Sequence, residues 1–171
     1  AHDGVSGLAG TGELLDRLVQ CSGRIPVISL VLGPVVGVSS LAASLADFTI
    51  LGEDHGQLFL SSPLETPEVI EGEIDAAGLG GAGLHASRSG IACLIADDDE
   101  DACEMAAEIL GFLPDHNGAV APFVETADPS DRLNPDLESL VPDNPNRPYD
   151  MVKVVEEIVD DGHFMELFEA Y

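Results

Sequence analysis

The stretch PVISLVLGPVVGVSSLAASLADF, Pro26–Phe48, decides how this chain is read. Val27–Leu32 is a continuous apolar run rich in β-branched residues, the pattern of a strand buried on both faces. Gly33–Pro34 predicts a turn, and Gly37–Val38 opens a helix. Ser39–Ala46 continues that helix with small residues, which let neighbouring backbone come close. Phe48–Leu51 returns as a short strand. Amides at a helix N-terminus lack internal partners and carry partial positive charge. Two of them can hold a developing oxyanion, and losing one such donor typically costs about 10²–10³ in rate. The stretch therefore reads either as an acyl-chemistry site or as a glycine turn that packs a helix on a sheet.

Upstream, Thr11 can cap a helix running to about Ser22, ended by Gly23, with Leu14, Leu15, Leu18 and Val19 on one face. Downstream, Gln57–Leu60 reads as a further strand, Thr66 or Pro67 as the start of a short acidic helix, and Gly78–Gly83 as a flexible turn. Ile91–Ala96 has strand character. Asp97–Glu100 starts the clearest helix, its acids suiting the positive end of the helix dipole. Ala102, Ala106, Ile109, Leu110 and Leu113 form its apolar stripe, and Pro114 ends it. Asp115–Pro148 is proline-rich and aperiodic, a linker lying over a surface. Asp150 caps a last helix with Met151 or Val152, Val155, Ile158 and Val159 on one side. Phe164, Leu167 and Phe168 make an apolar end that calls for a partner surface. Alternating strands and helices predict an α/β fold, and no internal repeat is evident.

Composition narrows the function. The 171 residues suffice for a domain with a core, and 45% of them are hydrophobic, which argues against disorder. There are 32 acidic and 6 basic residues, a net charge of −26 spread along the chain. Such a protein repels itself in dilute buffer. Salt shortens the Debye length from about 10 Å at 0.1 M to about 3 Å at 1 M. We expect a salt-adapted cytoplasmic protein of a halophile. Nucleic acid and anionic lipid are excluded as partners by the same charge. No apolar run approaches the ~20 residues of a membrane span, and no signal peptide is seen. Cys21, Cys93 and Cys103 form no CxxC pair and read as buried, reduced thiols.

The side chains offer little chemistry. There is no GxGxxG, no GxxxxGK[ST] and no GxSxG. The five histidines have no ligand spacing, so no metal is expected. Asp97–Asp98–Asp99 is a solvated helix start. What remains is backbone chemistry around Gly37.

At larger scale the sequence resembles a known family. RIPVISLVLGPVVGVSSLAASLADFTIL, Arg24–Leu51, is similar to the IPxISxxxGPCAGGAxYxPALxDF segment of carboxyltransferase (beta) subunits of biotin-dependent acyl-CoA carboxylases of the propionyl-CoA carboxylase kind. LGGAGLHASRSGIA, Leu79–Ala92, resembles that family's LGGAxxHxxxSGVA, and DPSDRL, Asp128–Leu133, its DPxDR. Val141–Leu167 resembles VPxxxxxPYDMxxVIxxxxDxxxFxE. Order and spacing agree from about Asp3 to Tyr171.

The resemblance implies a crotonase-like fold of ββα units in a superhelix. It implies transfer of a carboxyl group from carboxybiotin to the α-carbon of acetyl- or propionyl-CoA. The N–H groups of Gly37 and Val38 would hold the thioester oxygen, with Gly33, Pro34, Ser39, Gly80, Gly81 and Ala82 in substrate-binding positions. Glycines and Ser89 of the second motif, with His85, also suit tight turns. Biotin would arrive on a partner, the biotin carboxyl carrier or biotin carboxylase subunit. Further carboxyltransferase chains would complete a hexamer. The expected organisation is part of a CoA-binding N-terminal carboxyltransferase domain over 1–115, a linker over 116–148 and the start of the following domain over 149–171. The family's glycine–arginine motif is expected before Ala1 and its biotin-facing domain after Tyr171. Two departures stand out. Val38 replaces the second glycine of the family pair, and Leu41, or its neighbour Ser40, replaces the tyrosine. A non-catalytic assembly partner and a biotin-dependent decarboxylase subunit are the other readings.

Overall fold

The computed structural model describes residues 4–64 and 75–171. The chain forms two compact units, Ala1–Pro122 with Leu167–Tyr171, and Phe123–Glu166. The acidic helix expected from Thr66 or Pro67 lies outside the described residues.

In the first unit, helix α1 (Gly4–Cys21) leads into strand β1 (Ile28–Val31), strand β2 (Pro34–Val36) and helix α2 (Val38–Ser44). Strands β3 (Phe48–Gly52) and β4 (Gln57–Phe59) follow. Then come short helices α3 (Ala76–Gly80) and α4 (Ala82–Leu84), a π-helical turn (His85–Ser89), strand β5 (Leu94–Ala96) and helix α5 (Asp99–Phe112). β1, β3 and β5 form one parallel sheet, with Ile28 opposite Phe48 and Ile50 opposite Leu94. β2 and β4 form a second parallel pair, Val35 opposite Leu58. The order β-β-α thus occurs twice, first as β1-β2-α2 and then as β3-β4 followed by α3 and α4. Each ββα unit gives one strand to each sheet. The repetition lives in the backbone, with side chains too different to show it in sequence.

The core follows from the apolar runs. Val31, Leu51, Leu58, Ala82, Ala86 and Ala92 pack together, and Ile50 is also fully buried. Parallel β3 is covered on both faces and is buried from Thr49 to Gly52. Asp98 caps α5, accepting the N–H groups of Glu100 and Asp101 at 2.9 Å, and Ala102 and Ile109 face the core as expected.

Several local expectations are corrected. α1 starts well before Thr11, whose Oγ1 donates back to the Gly7 carbonyl at 2.9 Å from inside the helix. Pro34 begins β2 and does not turn the chain; lacking an N–H, proline fits the first residue of an edge strand. Gly78–Gly83 is not a flexible turn but the end of α3 and the start of α4, parted at the extended Gly81; Asp75 caps α3 through the Gly78 N–H, and the Gly81 N–H donates to the Ala77 carbonyl. Leu110 is exposed on the far side of α5. Cys93 is buried, but Cys103 is exposed and Cys21 intermediate. The backbone of the apolar C-terminus is tied to its own chain, while the Phe168 side chain stays exposed. Phe168 donates its N–H to the Cys93 carbonyl at 2.9 Å, and the Tyr171 ring lies against Gly90.

The second unit contains helices α6 (Leu137–Leu140) and α7 (Met151–Ile158). Asp150 caps α7 through the Val152 N–H, as its sequence predicts. Its buried residue is Val154, while Met151 and Ile158 are exposed, so the stripe sits one step round the helix from expectation. Arg132 of the DPSDRL motif closes the other end. It pairs with Asp128 at 2.6 Å and donates to the carbonyls of Glu157 at 2.8 Å and Val159 at 3.3 Å. A cation on the last carbonyls of a helix satisfies them and complements the dipole.

Candidate active site

β1 and β2 deliver the chain to Gly37, which bends it into α2. Gly37 has φ 70° and ψ −132°, a region that side chains disfavour strongly. Val38 is the first helical residue and has no such conformation. The single strained position of the family's glycine pair is therefore the one this chain keeps as glycine, and valine at 38 fits without backbone strain. The Val38 side chain is 37% exposed.

The Gly37 N–H donates to the Phe59 carbonyl at 2.8 Å. It is thus turned to β4, where the resemblance has it as an oxyanion donor. The N–H groups of Val38 and Ser39, first in α2, have no acceptor among the described residues. Among the described residues there is room above Gly37: an added Cβ would come no closer than 4.0 Å to its nearest neighbour, the Leu60 carbonyl. Around this opening stand Val36, Leu41 and Leu60, all exposed. Of the two residues that could take the place of the family's tyrosine, Leu41 has no hydroxyl and Ser40 turns its hydroxyl inward to the Phe59 carbonyl. Gly33 precedes β2 and accepts the Gln57 N–H through its carbonyl, and Pro34 and Ser39 are exposed.

The second motif sits behind this turn, on the far side of β4. Gly80 touches that strand so closely that a Cβ would stand 2.3 Å from the Leu58 carbonyl, so only glycine fits. Gly81 bridges to Gln57, and Ala82 is buried in the core. His85 is buried. Its Nε2–H donates to the Leu58 carbonyl at 3.0 Å, and its Nδ1 lies 2.9 Å from Ser89 Oγ. These residues brace β4 from behind, while Gly37 and Ser40 hold its Phe59 carbonyl. Sequence reasoning did not bring Ser40 and Phe59 together; neither carries a pattern that marks a contact across 19 residues. Among the described residues no group of three or more His, Cys, Asp or Glu is placed to hold a metal ion. No described helix is long and apolar enough to cross a membrane.

Two parallel sheets with a glycine-hinged helix entry define the class: the whole chain, residues 1–171, matches the carboxyl transferase domain, and the protein belongs to that family. Its fold is the crotonase-like α/β fold of these enzymes. The relatives are specific. The chain is 39% identical over 99% of its length to the propionyl-CoA carboxylase beta chain, mitochondrial, of Sus scrofa, covering 32% of that protein. It is 37% identical to the methylmalonyl-CoA decarboxylase subunit alpha of Veillonella parvula, covering 99% of this chain and 33% of that one. Among solved structures, it superposes on the transcarboxylase 12S hexamer core, crystallised with methylmalonyl-coenzyme A and methylmalonic acid, with TM-score 0.92 and 31% identity over 99% of this chain and 33% of that one. The chain spans about a third of the length of the relatives it matches.

Proposed function

We propose that this chain supplies the thioester-holding part of a biotin-dependent carboxyltransferase acting on a short acyl-CoA such as acetyl- or propionyl-CoA. The observation that supports this most strongly is the likeness, over nearly its whole length, to a core crystallised with methylmalonyl-coenzyme A. The opening at Gly37 has what such chemistry needs. When the α-carbon of the acyl group becomes nucleophilic, negative charge gathers on the thioester oxygen. Unpartnered N–H groups at a helix entry stabilise that charge and need no ionisable side chain. Val38 supplies one donor and Ser39 the second, with Gly37 as the hinge that presents them. Biotin, carried by a biotin carboxyl carrier or biotin carboxylase subunit, supplies the activated carboxyl group. Further carboxyltransferase chains complete the assembly, as the hexamer of the 12S structure suggests. A decarboxylase subunit using the same site in reverse is the second reading, supported by the Veillonella relative.

The test is carboxyl exchange between labelled methylmalonyl-CoA and biotin in the assembled complex. The informative variant is Val38→Pro. Proline is tolerated at the first helical position, so it deletes one N–H and spares the helix. Exchange should fall about 10²-fold or more with the fold retained. Unchanged exchange would remove Val38 from the site, and no exchange by the unaltered complex would remove the carboxyltransferase reading.

A further inference from the structure

We infer that Ser40 is a positioning residue that aims the Val38 N–H. The inference rests on the carboxyltransferase reading above. Ser40 is only 4% exposed, although it sits on the first turn of α2 beside an open site. Its Oγ lies 2.7 Å from the Gly37 carbonyl and 2.9 Å from the Phe59 carbonyl. Carbonyls only accept, so one hydroxyl proton serves two oxygens. The Ser40 N–H also donates to the Gly37 carbonyl, at 3.0 Å.

The geometry of the peptide unit turns these contacts into an aiming device. The Gly37 carbonyl and the Val38 N–H belong to one planar trans peptide and point in opposite directions. Whatever fixes the carbonyl fixes the N–H. Ser40 fixes the carbonyl twice, through its hydroxyl and through its amide. It also reaches Phe59, the acceptor of the Gly37 N–H, so the peptides on both sides of Gly37 are tied to one strand. Among the described residues nothing packs within 4 Å where a Gly37 side chain would stand, apart from one contact at that limit, so hydrogen bonds hold this turn. Both partners of the Ser40 hydroxyl are backbone carbonyls, one of the turn and one of β4. Its part is exerted through Gly37.

Ser40→Ala leaves both carbonyls with an N–H partner and should fold. The Gly37 amide, followed by hydrogen exchange and NMR on the full chain, should then exchange about tenfold faster. In the assembled complex kcat should fall about tenfold with KM within about twofold, the split expected when only transition-state contacts suffer. Ser40→Thr keeps the hydroxyl and should restore both readouts to within about threefold. If Ser40→Ala does not fold, Ser40→Cys, with its weak donor, is read in its place. A Gly37 exchange rate or a kcat unchanged by loss of the hydroxyl overturns the inference. A complex that shows no exchange even with Ser40 intact overturns the carboxyltransferase reading, and the Gly37 amide rate still decides the clamp.

Discussion

His85 donates its Nε2 hydrogen to the Leu58 carbonyl at 3.0 Å, one residue before the Phe59 carbonyl that receives Gly37. Two motifs about fifty residues apart in sequence therefore grip successive carbonyls of one three-residue strand. Successive carbonyls of a strand point to opposite sides, so β4 is held from both. Its position, and with it the height of the helix entry, depends on both grips.

Replacing His85 by alanine removes a buried donor and leaves the Leu58 carbonyl with a poorer environment. We expect a loss of about 1–3 kcal/mol, measured by chemical denaturation of the full chain. A loss below about 0.5 kcal/mol would show that the brace is dispensable.

Arg132→Ala should destabilise the second unit. The change strips the last carbonyls of α7 of a donor and leaves Asp128, whose side chain is 7% exposed, without its cation. The expected cost is about 1–3 kcal/mol, visible as faster amide exchange at the end of α7. Arg132→Lys should not rescue it, because a single ammonium cannot span both carbonyls and the carboxylate. Full rescue by lysine would argue for charge alone.

The thiols should separate by reactivity. Cys103 is exposed and should react promptly with a thiol reagent, whereas Cys93 should react only on unfolding. Burial pushes the Cys93 thiol up. A raised acid favours the folded state below its unfolded value of 9.0, and that contribution is lost as pH rises through the folded value. Stability should therefore fall above about pH 9, and Cys93→Ala should flatten the fall. Equal slopes for both proteins would assign the alkaline loss elsewhere.

Salt should stabilise the protein. With a net charge of −26 and few basic residues, self-repulsion weakens as the Debye length shrinks. The midpoint of thermal unfolding should be higher in 2 M than in 0.1 M KCl. Equal midpoints would end the halophile expectation.

Much of the first unit was legible in the residues, and the reasons are local. Val27–Leu32 and Phe48–Leu51 are apolar enough to be strands, although β1, expected to be buried on both faces, lies at the sheet edge and is half-buried over Ile28–Leu30; Asp98 and Asp150 announce their helices by capping them. The motifs carried the family, because their order and spacing survive wide divergence. The residues around Gly37 left an acyl-chemistry site and a packing glycine both open, and only the resemblance pointed to the first. Tertiary structure decided the rest. That Gly37's N–H is spent on Phe59, that Ser40 holds the same carbonyl, and that Gly80 and His85 brace the strand from behind are contacts across β4. Local patterns report which residues want burial or a cap; they do not report which carbonyl a buried donor will meet. That choice is made by the crossing of two parallel sheets, and it determines which N–H groups remain free at the site.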